Sequence, residues 1–339
     1  PSTVRKILVI RPGGIGDMIM LLPILQAIHA RYPGAELDLL CEKRNMEVLR
    51  LAGAPAHVIP YDAAPLSALA ALRSRGYDLA IDTEQFHHFS AIFARLTRAP
   101  VRIGFKINPR RNSLYTHLVN YAPDGFEGDQ FSLLLSPLGF DPFPYRLEGV
   151  LSSCETPVSP AVAADLAAFA APGPFAVVHA GAGTPYKEWP TSQFVDLLAG
   201  LGKDHGLAVA LAGGRGDRGK AEAAAAAASK RGVRTAVFAG RLTLCETAAL
   251  MKKARLFVGT DSGLSHLAVA LGLPGVTIFG PSDPGKWGIQ GPRHAVVTSR
   301  LPCSPCFIFG YHKTCRTISC MRQTTAPDVL SACRQVLAE

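Results

Sequence analysis

The chain has 339 residues and a mass of 36.0 kDa, which suits two domains of about 150 residues better than a single one. Hydrophobic residues make up 48% and charged residues 18%, which excludes a disordered chain, and no apolar run reaches the roughly 18 residues of a membrane span. The 35 Lys and Arg residues exceed the 26 Asp and Glu residues, which favours anionic partners, with an ordinary basic surface as the alternative.

The N-terminal half alternates short apolar runs with helical patterns. We predict strands at 6–10, 36–40, 58–59 and 77–82, and helices at 17–31 and 64–75. This alternation is typical of βαβ units in a parallel sheet. No signal peptide precedes the first strand, so we expect a soluble cytoplasmic protein.

Six prolines between residues 141 and 174 predict an inter-domain linker. The alternation then restarts, with strands at 175–179, 207–212, 256–258 and 276–279 and helices at 191–204, 221–230, 243–253 and 328–337. We therefore expect domains at 1–155 and 156–325, followed by a C-terminal helix at 326–339. Ligands bind such sheets beyond the carboxyl ends of the strands, so chemistry is sought there.

The first strand ends in a Gly-rich turn, residues 11–17, with the sequence Arg-Pro-Gly-Gly-Ile-Gly-Asp. It is neither the dinucleotide fingerprint nor a P-loop, because the spacing differs and no Gly-Lys-Ser/Thr follows. Asp17 is interpreted either as a helix-capping carboxylate or as a general base aimed into a cleft.

The first loop of the second half runs from His179 to Pro190 and contains Lys187. A lysine between a strand and a helix N-terminus suits a pyrophosphate, where it balances the charge of a leaving group. A solvated surface lysine is the alternative.

The segment from Asp261 to His266 follows a strand and opens a helix. Backbone amides at Ser262 and Gly263 would face an anion, and Asp261 would accept hydrogen bonds from sugar hydroxyls. For His266 the alternative is a packed helix residue. A hydrolase triad is rejected, because triad members come from separated elements and no Gly-x-Ser-x-Gly elbow is present.

Taken in order, four segments resemble the glycosyltransferase family 9 heptosyltransferases, which build the inner core of lipopolysaccharide. They are the Gly-Asp turn in 7–23, the Lys-x-Trp-Pro in 179–190, the Asp-Ser-Gly-x-Ser-His of 261–266 and the Phe-Gly-Pro-Ser-Asp-Pro of 279–284. The Cys-Ser-Pro-Cys segment near the C-terminus is also similar to the tail of some members.

This resemblance implies a GT-B architecture, in which two Rossmann-like doubly wound domains face each other across a cleft. The N-terminal domain would bind the acceptor and the C-terminal domain an ADP-activated heptose, and transfer would be inverting and independent of metal. The implied residues are Asp17 as general base and Lys187 at the phosphates, with Gly183, Thr184, Leu242, Asp261, Ser262, Gly263 and His266 for the donor. For the acceptor we expect Gly14, Arg110 and Arg111.

The basic residues Arg102, Lys106, Arg110 and Arg111 cluster in the N-terminal half. We expect them to bind acceptor phosphates or the anionic inner leaflet, with a solvated basic loop as the alternative. The expected partners are thus an ADP-sugar and a phosphorylated, lipid-linked glycan, which would bring a cytoplasmic protein to the inner membrane surface. No nucleic-acid partner is expected, because no recognised motif accompanies the charge.

Four cysteines, Cys303, Cys306, Cys315 and Cys320, lie within 18 residues. Their number and the Cys-x2-Cys knuckle suit a structural zinc site, while the loose second spacing leaves reduced thiols in a packed loop as the alternative. Two other functions stay open beside the heptosyltransferase: a transferase for another nucleotide sugar and glycan, and an inactive nucleotide-sugar-binding protein. The presence of both Asp17 and Lys187 disfavours the second.

Overall fold

The computed structural model describes residues 4–54, 56–141, 143–308, 311–312 and 315–338. The chain divides into two compact units, Pro1–Leu147 (unit 1) and Glu148–Glu339 (unit 2). This division precedes the boundary that we placed after residue 155. The amides of Gly149 and Leu151 already donate to the carbonyls of Val269 and Ala270, which belong to unit 2.

Unit 1 is an α/β unit built on one sheet. Its described strands are β1 (Lys6–Arg11), β2 (Glu36–Cys41), β3 (Ala56–Pro60), β4 (Leu79–Asp82), β5 (Val101–Lys106) and β6 (His117–Asn120). Its described helices are α1 (Ile15–Arg31), α2 (Met46–Ala52), α3 (Pro65–Ser74), α4 (His88–Leu96), α5 (Pro109–Asn112) and α6 (Glu127–Leu133). All strand pairs are parallel, in the order β3-β2-β1-β4-β5-β6.

Unit 2 repeats this plan. Its described strands are β7 (Phe175–His179), β8 (Ala208–Ala212), β9 (Thr235–Val237), β10 (Leu256–Thr260), β11 (Gly275–Phe279), β12 (His294–Thr298), β13 (Phe307–Ile308) and β14 (Tyr311–His312). Its described helices are α7 (Pro160–Ala170), α8 (Thr191–His205), α9 (Arg218–Ser229), α10 (Leu244–Lys252), α11 (Gly263–Ala270), α12 (Pro284–Trp287), α13 (Ser319–Gln323) and α14 (Ala326–Ala338). The parallel sheet has the order β12-β11-β10-β7-β8-β9, and β13 and β14 form a separate antiparallel pair.

The two sheets follow one topology, because in each the first strand lies between the second and the fourth. The direction of winding reverses between β1 and β4 in unit 1 and between β7 and β10 in unit 2. Ligand sites of doubly wound sheets form at this reversal, beyond the carboxyl ends of the strands. The loops after these four strands are therefore the first places to examine.

The central strands are apolar on both faces because helices cover both sides of each sheet. Residues Ile7 to Ile10 of β1 and Phe175 to Val178 of β7 are all buried. The C-terminal helix α14 joins the core of unit 2 through Val329, Cys333 and Val336. No described helix combines the length and hydropathy needed to cross a membrane.

The predicted linker at 141–174 contains helix α7, which was not predicted. Ser159 caps α7 by accepting the amide of Val162, and Pro160 occupies its first turn, a position that tolerates proline. Phe169 packs edge-on against Phe175 of β7 with ring centroids 5.3 Å apart. Much of the proline-dense segment is therefore part of unit 2. Pro142 lies outside the described residues.

Candidate functional site

The loop after β1 is a tight turn closed by Asp17, which lies in the first turn of α1. The Oδ2 atom of Asp17 accepts the amide of Gly14 at 2.8 Å. Gly13 has a φ of +114°, and a Cβ there would lie 2.9 Å from the same oxygen, so the turn requires glycine. The capping interaction of Asp17 is thus present, while 27% of its side chain stays exposed.

Arg11, the last residue of β1, holds the other oxygen of this carboxylate. Its Nη2 donates to Oδ1 of Asp17 at 2.5 Å and its Nη1 to the carbonyl of Thr83 at 2.9 Å. Burial acts to lower the pKa of Arg11, but the carboxylates of Asp17, Glu84 and Glu127 outweigh it and raise that pKa. A fixed, permanently charged group therefore orients a partly exposed carboxylate, which is the arrangement that a general base needs.

The two arginines predicted to bind the acceptor lie in different environments. Arg110 is exposed on α5. Arg111 is fully buried, and its Nη2 donates to the carbonyl of Glu84 at 2.6 Å and to the hydroxyl of Tyr115 at 2.8 Å. It also pairs with Asp82 at 3.3 Å. The structure therefore contradicts the acceptor role for Arg111, because this side chain is an internal tie of unit 1.

Asp82 is the fully buried carboxylate at the end of β4. Burial raises the pKa of Asp82 to about 6, although the charge of Arg111 and the hydroxyl of Tyr115 favour the ionised form. The reversal point of unit 1 thus contains charged groups that the turn sequence alone does not reveal.

In unit 2, Lys187 and Asp261 form an ion pair beyond the carboxyl ends of β7 and β10. The Nζ atom of Lys187 lies 2.6 Å from Oδ2 of Asp261, and the two side chains are 19% and 9% exposed. Burial acts to raise the pKa of Asp261, but the charge and the hydrogen bond of Lys187 outweigh it, and the pKa is lowered. Both residues were predicted for the donor site, but their contact with each other was not.

His179, the last residue of β7, contacts side chains that follow β8 and β10. Nδ1 of His179 lies 3.1 Å from Oγ of Ser262, and its Nε2 lies 3.2 Å from Oδ2 of Asp217. Burial acts to raise the pKa of Asp217, but the hydrogen bond and charge of His179 and the amide of Gly214 outweigh it, so that this pKa is lowered. His179 and Asp217 had received no firm role from the sequence.

Ser262 precedes α11, and Gly263 is the first residue of that helix, so backbone amides stand at the ion pair's side of the sheet. Such amides and the helix dipole favour an anion. His266 is buried on α11. Thr184 opens the 3₁₀ turn that carries Lys187, and its Oγ1 is buried without a hydrogen-bond partner.

The remaining predicted donor residues are less tightly held. Gly183 has open space where a Cβ would stand. Leu242 is half-buried just before α10, whose first turn is capped by Thr243 and Glu246. By contrast, a Cβ on Gly181 would lie 1.9 Å from a carboxylate oxygen of Asp217. Only glycine at this position therefore lets the loop after β7 pass so close to the carboxylate.

The four clustered cysteines are all described, and Cys303 is exposed while Cys320 is buried. In the part of the chain that the structure covers, no three His, Cys, Asp or Glu side chains are grouped so that they could hold a metal ion. The zinc site stays a prediction that metal analysis of the purified protein tests.

Comparison with known proteins points in one direction. A sequence model of glycosyltransferase family 9 (heptosyltransferase) matches residues 66–316. Among curated proteins, lipopolysaccharide heptosyltransferase 1 of Pseudomonas aeruginosa is 26% identical over 325 residues, which cover 91% of this chain and 87% of that protein.

Solved structures match over almost the whole chain. The ADP-heptose lipopolysaccharide heptosyltransferase II of E. coli has a TM-score of 0.73 at 24% identity, covering 98% of both chains. The E. coli heptosyltransferase WaaC with ADP has a TM-score of 0.71 at 22% identity, covering 98% of this chain and 99% of that one. Together with the two parallel sheets, these matches show the GT-B fold, with two Rossmann-like domains.

Proposed function

The chain belongs to glycosyltransferase family 9 (heptosyltransferase), and we propose that it transfers a heptose from ADP-heptose to an inner-core lipopolysaccharide acceptor. The observation that carries this proposal is the Lys187–Asp261 pair beside the first amides of α11. It offers a cation and amide donors for a diphosphate, together with a carboxylate for sugar hydroxyls, at the reversal point of unit 2. The heptosyltransferase relatives and the ADP-bound structure support the identity of the donor.

On the donor side, Lys187 moves part of its interaction from Asp261 to the diphosphate. The leaving group gains negative charge as the bond to the anomeric carbon breaks, and Lys187 and the amides near Gly263 stabilise this charge without a metal ion. The buried hydroxyl of Thr184 gains a hydrogen-bond partner among the phosphate oxygens. Leu242 packs against the adenine, and Asp217 accepts a hydrogen bond from a hydroxyl of the ribose.

On the acceptor side, Asp17 removes the proton of the attacking hydroxyl while that oxygen bonds to the anomeric carbon. The diphosphate leaves from the opposite face, so the configuration inverts. Arg11 keeps the carboxylate in place through Nη2. Gly14 lies beside the base and contacts the acceptor, and exposed Arg110 binds an acceptor phosphate. The acceptor is lipid-linked at the inner membrane face, which brings this cytoplasmic protein to the membrane surface.

Donor identity is tested by thermal melting of the purified chain with a panel of nucleotide sugars. We expect ADP-heptose to raise the melting temperature most, because a ligand at one hundred times its Kd stabilises by about 2.7 kcal/mol, which corresponds to roughly 4 °C for a chain of this length. A larger shift with another nucleotide sugar would favour the related transferase. Binding of ADP-heptose without transfer would favour the inactive binding protein.

Two lysines of unit 2 make a matched pair for this test. Lys187→Ala removes the proposed phosphate contact, and we expect the ADP-heptose shift to disappear. Lys203→Ala removes an exposed lysine in the last turn of α8, and it should leave the shift unchanged. An equal shift in wild type and Lys187→Ala would refute the donor site.

A further inference from the structure

Exposed apolar side chains are unevenly distributed over the described residues. The large apolar side chains with the greatest exposure all lie in unit 1: Leu66, Phe89, Ile92, Leu118 and Leu133. Single exposed apolar residues are normal, but neighbouring ones rimmed by charge mark interaction sites. Helix α4 carries two of them.

Phe89 is 67% and Ile92 47% exposed, and they lie three residues apart, on one side of α4. The other side of the helix packs into unit 1 through Ala91 and Ala94, which are fully buried. The ring of Phe89 stacks edge-on against Phe93 with centroids 5.3 Å apart, so its position is fixed. Phe89 and Ile92 are therefore exposed although α4 itself is packed firmly into unit 1.

The charge around α4 has one sign. Between Glu84 and Asp124 the chain has six Lys and Arg residues and no Asp or Glu, whereas the rest of unit 1 has ten Lys and Arg and thirteen Asp and Glu. Four of the six are exposed, namely Arg95, Arg98, Lys106 and Arg110. We call Phe89, Ile92, Arg95 and Arg98 the α4 surface.

The start of α4 lies near the turn of the proposed base. Buried Arg111 donates to the carbonyls of Glu84 and His87, which ties the start of α4 to α5 and thus to Arg110. The same loop reaches the β1 turn, because Thr83 accepts from Arg11, the partner of Asp17. The start of α4 therefore stands at the carboxyl edge of the unit 1 sheet, while Arg95 and Arg98 lie towards the other end of the helix, before β5.

We propose that the α4 surface docks unit 1 on an anionic phospholipid bilayer, with Phe89 and Ile92 in the interfacial layer and the arginines at the headgroup phosphates. Apolar side chains on one face beside basic residues are the pattern of helices that lie in this interface. A second copy of the chain fits poorly, because a two-fold contact would bring arginine against arginine without a carboxylate between them. The inference rests on the proposed function in that a lipid-linked acceptor makes docking useful.

The test is flotation of the full chain with vesicles of phosphatidylethanolamine and phosphatidylglycerol, compared with phosphatidylcholine alone. We expect binding to the anionic vesicles only, weakened by salt. The double substitutions F89S/I92S and R95Q/R98Q should each lower the partition coefficient about tenfold. The matched controls are L118S/L133S, which removes exposed apolar residues elsewhere in unit 1, and R218Q/R231Q, which removes exposed arginines of unit 2. Both should bind like wild type.

Several outcomes would overturn the proposal. These are equal binding by the four double variants, or a wild-type dimer in sedimentation that F89S/I92S turns into a monomer. The melting temperature of each variant serves to check folding. The ADP-heptose shift, which depends on unit 2 residues, serves to check that the donor site is intact. Transfer to a water-soluble acceptor fragment should persist in F89S/I92S, while transfer to an acceptor in vesicles falls. If the wild-type protein binds vesicles but transfers no heptose to any acceptor, the proposed function is refuted and the docking surface is still supported.

Discussion

Two turns with the pattern Gly-Gly-x-Gly-Asp occur in the molecule, at residues 13–17 in unit 1 and 213–217 in unit 2. Their local geometry is the same. In each, Oδ2 of the aspartate accepts the amide of the second glycine at 2.8 Å. In each, the first glycine has a positive φ, +114° and +153°, and a Cβ there would collide with the carboxylate.

The turns differ in what the rest of the fold places against the carboxylate. Asp17 pairs with the guanidinium of Arg11, which carries a permanent charge, and Asp217 pairs with the imidazole of His179, which does not. In the proposed reaction Asp17 accepts a proton, whereas Asp217 accepts a hydrogen bond from a ribose hydroxyl. One local turn thus serves two purposes according to its tertiary partner.

The largest expected effect is that of Asp17→Asn, which keeps the turn and removes the proton acceptor. We expect kcat to fall about 10³-fold, within the range that general bases contribute. The ADP-heptose melting shift should survive, because the donor residues lie in unit 2. Transfer at the normal rate would show that the two turns do not differ in this way.

Buried Asp82 in unit 1 and Asp217 in unit 2 have pKa values shifted in opposite directions. The pKa of Asp82 is raised to about 6, so its contribution to stability is present below about pH 4 and is lost as the pH rises through 6. The lowered pKa of Asp217 gives a contribution present above about pH 4 and lost at lower pH.

Asp82→Asn removes the titration in unit 1 and should therefore change the pH dependence of stability. Relative to wild type, the variant should gain about 3 kcal/mol in unfolding free energy between pH 4 and pH 7. Urea unfolding of both proteins at several pH values measures this. A difference that stays constant with pH would contradict the raised pKa.

Arg11 is expected to act on Asp17 by holding it in position. Arg11→Met should lower kcat about 50-fold with a smaller change in the acceptor KM, because a misplaced base costs rate more than binding. Arg11→Lys keeps the charge and should recover part of the rate. If both variants lose activity only in proportion to their melting temperature, Arg11 is structural.

Glycine replacements test whether the two turns are locally equivalent. Gly13→Ala and Gly213→Ala should each cost about 2 kcal/mol in unfolding free energy, from the positive φ and the contact with the carboxylate. Gly219→Ala is the control, because this helical glycine has open space, and it should add about 0.5–1 kcal/mol. Urea unfolding measures all three, and very unequal costs in the two turns would break the comparison.

The smallest expected effect is that of Asp217→Asn, the counterpart of the first substitution. We expect the donor KM to rise about tenfold, as for loss of one charge-assisted hydrogen bond, while kcat at saturating donor changes by less than about threefold. Steady-state kinetics with varied donor separates the two. A collapse of kcat like that of Asp17→Asn would mean that both turns take part in chemistry.

Much of the fold could be predicted from the sequence, because a strand buried on both faces reads as a continuous apolar run. The strands β1, β2, β7 and β11 were predicted within a residue at each end. In contrast, β5, β6 and α4 were missed. Strand β5 alternates Arg102, Gly104 and Lys106 with apolar residues, so it lacks the continuous apolar run by which the other strands were recognised. Helix α4 exposes Phe89 and Ile92, so its outer face is not the polar face expected of a surface helix.

The sequence by itself determined the strand-end turns and their candidate groups, because glycine conformations, helix caps and helix N-termini are local requirements. Only the tertiary structure decided the partners: Arg11 reaching Thr83 across 72 residues, and His179 lying between Ser262 and Asp217. It also decided that Arg111 is buried while Arg110 is exposed. Burial and ion pairing depend on which strands become neighbours in the sheet. Two arginines that are adjacent in the sequence therefore give no indication of which one will be buried.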